Sequence, residues 1–175
     1  MLTNETLKDI IIGNFKNLAH ETKFLLKAIP KDKLEYSPCK QMMKLSKLAR
    51  HIAVIPYTAT LYAEEFFCEH ATPAELNKIL DENFGEDLAN HKYDAVFEKS
   101  CEYFLSFYNA KCDESLVNKS FIHPATNEVT PFLKSFLKVQ NHLSLHTGTL
   151  NAYVRELVVP EAAKEYIEKK VLYSL

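Results

Sequence analysis

The sequence predicts an all-α protein, a four-helix bundle with short extra helices in its connections and at the C-terminus. Three observations lead there. Apolar residues recur at steps of three and four along four long segments, the spacing of a helix with one buried face. Only three glycines occur in 175 residues, which argues against a turn-rich β protein and against a glycine-rich phosphate loop. No repeat or low-complexity linker divides the chain, so residues 1–175 read as a single domain, long enough to bury a sizeable core.

The first helix is expected over about residues 4–29. Leu7, Ile11, Phe15, Leu18, Leu25 and Ile29 share one face, and Pro30 ends it. "PKDKLEYSPCKQ" is then a connecting segment. The second helix starts near Leu45 or Ser46 and runs to about Phe67, with Leu48, Ile52, Ile55, Ala59, Tyr62 and Phe66 as its stripe. Pro56 lies inside it. It lacks the N–H that the Ile52 carbonyl would accept, so a kink is expected there. Thr72 and Glu75 have capping-box spacing and Pro73 suits a first helical position, which predicts a short helix over about 73–81. A third long helix spans about 94–110, with Phe97, Cys101, Phe104 and Tyr108 facing the core. "SLVNKSFIHPATNEVTPF" allows either a short hairpin around "HPATN" or an irregular loop. The fourth long helix covers about 131–157. Beyond Pro160 a last short helix is expected over about 161–171, with Glu161 near its start and Lys169 and Lys170 near its end, as the helix dipole favours.

Charge and composition exclude several classes. A formal net charge of -2 with dispersed lysines offers no basic patch, so neither nucleic acid nor an anionic membrane is an expected partner. No apolar run approaches the roughly 20 residues needed to span a bilayer. Cys39, Cys68, Cys101 and Cys112 lie far apart and follow no apolar leader, so they read as reduced, inert thiols of a cytoplasmic protein.

The candidate site lies in "NHLSLHTGTLNAYVREL", where His142 and His146 stand four residues apart. Side chains so spaced sit one above the other on a helix and can bind one metal ion. With seven histidines in the chain the spacing alone also arises by chance, which leaves packing and ligation both open. The stripe they occupy, with Val139 before and Thr149, Leu150 and Tyr153 after, is largely apolar. Two unpartnered imidazoles there would be costly, and a metal would satisfy both. A third protein ligand is then required. His20 lies off the apolar face of its helix, and His70 and His91 fall in polar connections. His123 is a loop candidate. His51, in "KLARHIAVIP", flanks the stripe of the second helix and can meet the pair across the bundle. Ile55, Thr58, Val139, Thr149 and Tyr153 are the candidate lining residues of such a site. No general base stands out; Tyr57 and Tyr153 fit packing better than catalysis.

The segments "LEYSPCKQMMKLSKLARHIA" and "NHLSLHTGTLNAYVREL", in this order and spacing, resemble the DinB/YfiT-like superfamily over about residues 4–159. The resemblance implies a four-helix bundle holding one divalent metal, nickel or zinc, on His51, His142 and His146. It implies a small-molecule substrate, a homodimer, and thiol S-transferase or hydrolase chemistry, with a low-molecular-weight thiol as possible cosubstrate. A non-catalytic metal- or ligand-binding bundle with a stress-response role is the alternative. The family's name also suggests a DNA-damage association, which the charge balance opposes. Two departures stand out. Thr147 and Thr149 occupy positions where members often carry Arg and Gln, and "EAAKEYIEKK" replaces the usual ending. Three neutral imidazoles leave coordination positions open, as catalytic metal sites do, for a water or a thiol to be activated.

Overall fold

The computed structural model describes residues 7–63, 72–111, 120–122 and 128–157. Among these residues five α-helices form: α1 (Leu7–Lys27), α2 (Leu45–Ala63), α3 (Pro73–Ala89), α4 (Tyr93–Lys111) and α5 (Phe132–Leu157). Two three-residue strands, β1 (Ser120–Ile122) and β2 (Val129–Pro131), pair antiparallel with Phe121 opposite Thr130. The protein is thus mostly helical. Of the two alternatives for this segment, the described residues show the antiparallel pairing of a hairpin, and β2 leads straight into α5 through Pro131. A proline there costs nothing, because the first N–H groups of a helix have no helical acceptor.

The helices pack around one apolar core. α1 and α2 each lie against both α4 and α5, while α3 covers α2 and α4 from outside. Side-chain contacts give the directions. Phe15 meets Phe136 and Thr22 meets Thr147, so α1 and α5 run the same way. Met43 and His51 meet Tyr153 and His142 respectively, so α2 runs opposite to α5. Phe15 on Phe104 and Lys23 on Glu98 set α4 opposite to α1. α2 and α4 are therefore parallel, and the crossover that joins them contains α3.

The four core residues expected on α4 are all buried, joined by Val96, Ser100 and Phe107. Phe104, Phe15, Phe136 and Tyr108 form one aromatic cluster, with Phe104 4.8 Å from Phe15 and 4.9 Å from Phe136 between ring centres. Tyr108 stands edge-on to Phe136 at 5.0 Å. Such pairs add about 0.5–1.5 kcal/mol each beyond the burial itself. On α2, six consecutive residues from Ile52 to Tyr57 are buried, because α3, α4 and α5 surround this helix on most sides. α2 is a continuous helix through Pro56, and the Thr60 hydroxyl donates to the Pro56 carbonyl at 3.0 Å.

Two boundaries differ from expectation. α1 ends at Lys27 rather than 29; its last turn tightens, with Ala28 N–H shared between the Phe24 and Leu25 carbonyls. α3 runs to Ala89, well past the expected end near 81. Leu80, Phe84 and Leu88 continue its apolar stripe through a polar run and are all buried. The predicted start holds: Thr72 accepts from Glu75 N–H, and Glu75 accepts from Thr72 N–H at 2.8 Å. α3 stops at His91, whose φ of 56° is left-handed. Lys92 N–H then reaches the Asp87 carbonyl at 2.9 Å and His91 N–H the Leu88 carbonyl at 3.2 Å, a Schellman closure without glycine. The expected helix over 161–171, residues 4–6 and 64–67 of the first two helices, His70, His123, Cys68 and Cys112 lie outside the described residues.

Candidate metal centre

His51 reaches the centre from the middle of α2, and His142 and His146 from successive turns of α5. The antiparallel packing of α2 on α5 brings them level. His51 Nε2 lies 3.1 Å from His142 Nε2, and ring centres are 5.3 Å apart for this pair. His51–His146 and His142–His146 are each at 4.7 Å. One ring nitrogen from each histidine falls within 4.8 Å of the other two. His51 and His146 are half-buried and His142 is exposed, so the cluster has a buried side and an open side.

The donor set fits a divalent transition metal. With metal–nitrogen bonds near 2.0–2.1 Å, two ligands of a tetrahedral ion stand about 3.3 Å apart, close to the His51–His142 separation. The electrostatics agree. Burial, then the neighbouring imidazoles, hold His51 below the ordinary histidine range, and burial followed by His142 does the same for His146. Both are thus biased towards the neutral form that ligates. Among the described residues no carboxylate joins the cluster.

A cavity of about 490 Å³ opens beside the histidines, within the roughly 300–1,000 Å³ usual for small-molecule sites. α2 forms its floor with Lys47, Arg50, His51, Val54, Ile55, Thr58, Ala59 and Tyr62. α3 supplies Leu76, Asn77 and Leu80, and α5 supplies Lys138, Val139 and His142. Ile55, Thr58 and Val139 therefore line it, as their spacing from the histidines suggested. Thr149 and Tyr153 do not. Thr149 donates to the Leu145 carbonyl of its own helix at 3.1 Å. Tyr153 is buried and donates to the Met43 carbonyl at 2.9 Å, with its ring edge-on to Tyr36. The Tyr36 hydroxyl bonds Glu156, which helps push its pKa up to about 12. These two tyrosines fasten the α1–α2 connector onto α5. Their place follows from helix direction: the cavity extends from His51 towards Tyr62, so its α5 side is the stretch before His142.

Sequence reasoning missed the cationic residues. Lys47 precedes His51 by one turn and Lys138 precedes His142 by one turn, so the helical repeat alone places both beside the site. The α3 wall had no such signal, since nothing local specifies which face of α2 a crossover helix covers. The other two described histidines stay apart: His20 is exposed, and His91 pairs with the Tyr93 hydroxyl at 2.8 Å. Of the described cysteines, Cys39 is exposed and Cys101 is buried, and burial raises the Cys101 thiol far above its usual range.

Thr147 belongs to the opposite side of α5. It is buried against Thr22 of α1, the two hydroxyl oxygens 2.8 Å apart. Each also lies 2.8 Å from the carbonyl one turn back, Leu18 for Thr22 and Leu143 for Thr147. Two protons cannot serve three bonds, so one hydroxyl donates to the other and the second to its carbonyl.

No family model matches the chain, and no curated protein and no solved structure matches it either. Among the described residues no helix is long and apolar enough to cross a membrane.

Proposed function

We propose that the protein is a divalent-metal-dependent enzyme of DinB/YfiT-like type, a four-helix bundle with thiol S-transferase or hydrolase chemistry at His51, His142 and His146. One observation carries the reading: three imidazoles from two helices converge within 4.8 Å at the edge of a cavity. The resemblance implies nickel or zinc, and imidazole donors suit both, as they also suit copper and iron. When bound, the ion supplies a Lewis acid that eases deprotonation of a water or a thiol.

The chain's own residues do the remainder. Burial and the neighbouring imidazoles bias His51 and His146 towards the neutral form, and imidazole ligands would hold an ion without cancelling its charge. Val54, Ile55, Leu76, Leu80 and Val139 give the substrate a dry wall and keep bulk water from the reacting centre. Thr58, whose hydroxyl donates to the Val54 carbonyl at 2.8 Å, keeps an acceptor lone pair free to orient a polar group on the substrate.

Elemental analysis of protein purified without a histidine tag is the first test, followed by turnover of a panel of thiols with electrophiles and of hydrolysable esters and amides. Stoichiometric nickel or zinc with turnover on either panel is the expected result. A protein that retains no transition metal, even after nickel, zinc or manganese is offered, overturns the reading.

One observation favours a second reading, a non-catalytic metal- or ligand-binding bundle. Among the described residues no carboxylate lines the cavity, so no carboxylate general base stands beside the histidines. A large chelator-dependent fall in melting temperature with no turnover on any panel selects this alternative.

A further inference from the structure

The cavity beside the histidines has a charge pattern that the chain as a whole lacks. The formal net charge is -2, yet three basic side chains, Lys47, Arg50 and Lys138, line the cavity, and among the described residues no aspartate or glutamate does. Arg50 faces Asp81 at 3.4 Å across the α2–α3 seam, a contact that leaves most of its five N–H donors for other acceptors. Among the described residues neither Lys47 nor Lys138 forms an ion pair.

Their placement is not scattered. Lys47 lies one turn before His51, and Lys138 one turn before His142. Because α2 and α5 are antiparallel and His51 is level with His142, the lysines lie on opposite sides of that pair, Lys47 on the side of His146. At 1.5 Å rise per residue, their backbones sit roughly 12 Å apart along the helices, a gap that two flexible four-carbon stems can close on one ligand. Between and behind them the wall is apolar, from Val54, Ile55 and Val139 to Leu76 and Leu80 of α3.

We propose that this cavity takes an anionic amphiphile: a small molecule with an apolar body lying on the α2–α3–α5 wall and a carboxylate or phosphate head held by Lys47 and Lys138, with Arg50 in reserve. Cations without carboxylates in a low-dielectric cleft concentrate anions and repel cations. Apolar lining removes the ligand's body from water, and the metal's undiminished charge adds to the same selection. The inference rests on the reading that the cavity serves the histidine centre. Its test is run without metal, so that the two can fail separately.

The experiment titrates octanoate, octyl phosphate and neutral octanamide into the full-length protein by calorimetry in the presence of a chelator, which removes any direct head-to-metal bond. Both charged probes are expected to bind about tenfold more tightly than the amide, with the tighter one naming the head group, and to weaken as salt is raised. The double variant K47Q/K138Q is expected to lose that tenfold advantage while binding octanamide unchanged. K47R/K138R keeps the charge and is expected to retain the advantage, which separates charge from any disturbance of the fold. Equal affinity for octanoate, octyl phosphate and octanamide overturns the proposal. So does an undiminished advantage in K47Q/K138Q. A failure of the metal reading shows elsewhere, as an absence of zinc binding in the wild-type protein, and leaves these results standing.

Discussion

Replacing His142 by alanine separates a metal centre from a packed histidine cluster. His142 is exposed, and its side-chain contacts are the 3.1 Å approach to His51 and the His146 ring at 4.7 Å. Deleting it opens no core cavity, so the metal-free variant is expected to keep its stability within about 0.5 kcal/mol of wild type. The effect of zinc is expected to differ sharply. An ion that binds only the folded state stabilises it by about 2.7 kcal/mol at 100 times its dissociation constant. For a chain of this length each kcal/mol moves the melting temperature by about 2–4 °C, which gives a rise of about 5–11 °C in wild type. With one of three ligands gone, the same zinc concentration is expected to raise the variant by less than about 3 °C. Differential scanning calorimetry of both proteins near neutral pH, with chelator and with zinc, reads all four values. A full zinc-induced rise in His142→Ala refutes the three-histidine site. A metal-free variant destabilised by more than about 2 kcal/mol refutes the claim that His142 has no packing role.

Three further outcomes are expected. His51 and His146 are held below the ordinary value of 6.5, so between that value and their native ones the unfolded chain binds more protons. Stability therefore falls as pH drops below about 6.5, and melting scans without metal should show His146→Ala losing less than wild type over that window. Thr147→Val keeps the shape and leaves Thr22 able to donate to Leu18, so denaturant titration should find a loss of at most about 1.5 kcal/mol. Thr147→Arg, which inserts the residue often present in the resembling family, forces a charge against buried Thr22 and should cost at least ~2 kcal/mol. At His91, alanine loses the Tyr93 bond and keeps the left-handed strain, whereas glycine loses the bond and relieves the strain. Glycine should thus be the more stable of the two by about 1 kcal/mol in urea melts, the reverse of ordinary helix preference.

The helices were legible where burial is one-sided. α1, α4 and α5 each show a three-and-four repeat because one face meets the core, and Phe97, Cys101, Phe104 and Tyr108 lie where that repeat puts them. α3 was legible only in its first half. Its core-facing residues, half-buried Leu76 and buried Leu80, Phe84 and Leu88, recur every fourth position, so the stripe drifts around the helix, and the charged residues between 81 and 87 mask its continuation. Phe84 finds its partner, the Tyr57 ring at 4.9 Å, on a helix distant in sequence, and no local pattern announces that. The end of α3 was hidden for a different reason. Glycine or asparagine is the usual sign of a left-handed cap, and here a histidine occupies it.

The candidate site divides along the same line. The ligand trio was legible because two of its members share a helix face and the third sits at a comparable depth on another apolar helix. The lining was legible only as far as it depends on distance from a histidine, and not in its direction. Ile55 and Thr58 follow His51 on α2, and Val139 precedes His142 on α5; antiparallel packing requires just this opposition. Thr149 and Tyr153 follow His146, away from the cavity, and Tyr153 is spent on the Met43 carbonyl instead. Choosing between the two directions needs the relative orientation of α2 and α5, which depends on the path of the whole chain.

That orientation also changes what the "HTGT" departure means for function. Residues 146 and 147 are about 100° apart on the helix. His146 turns to α2 and His51, and Thr147 turns to α1 and Thr22. A substitution at 147 in this chain therefore acts on how α1 seats against α5, and reaches the site only through the position of the helix that carries two ligands. On the proposed reading, the charges that would meet a ligand stand one turn before each histidine of the facing pair, at Lys47 and Lys138. Selectivity of the centre is expected to follow those two positions, and rigidity of the ligand pair to follow Thr22 and Thr147.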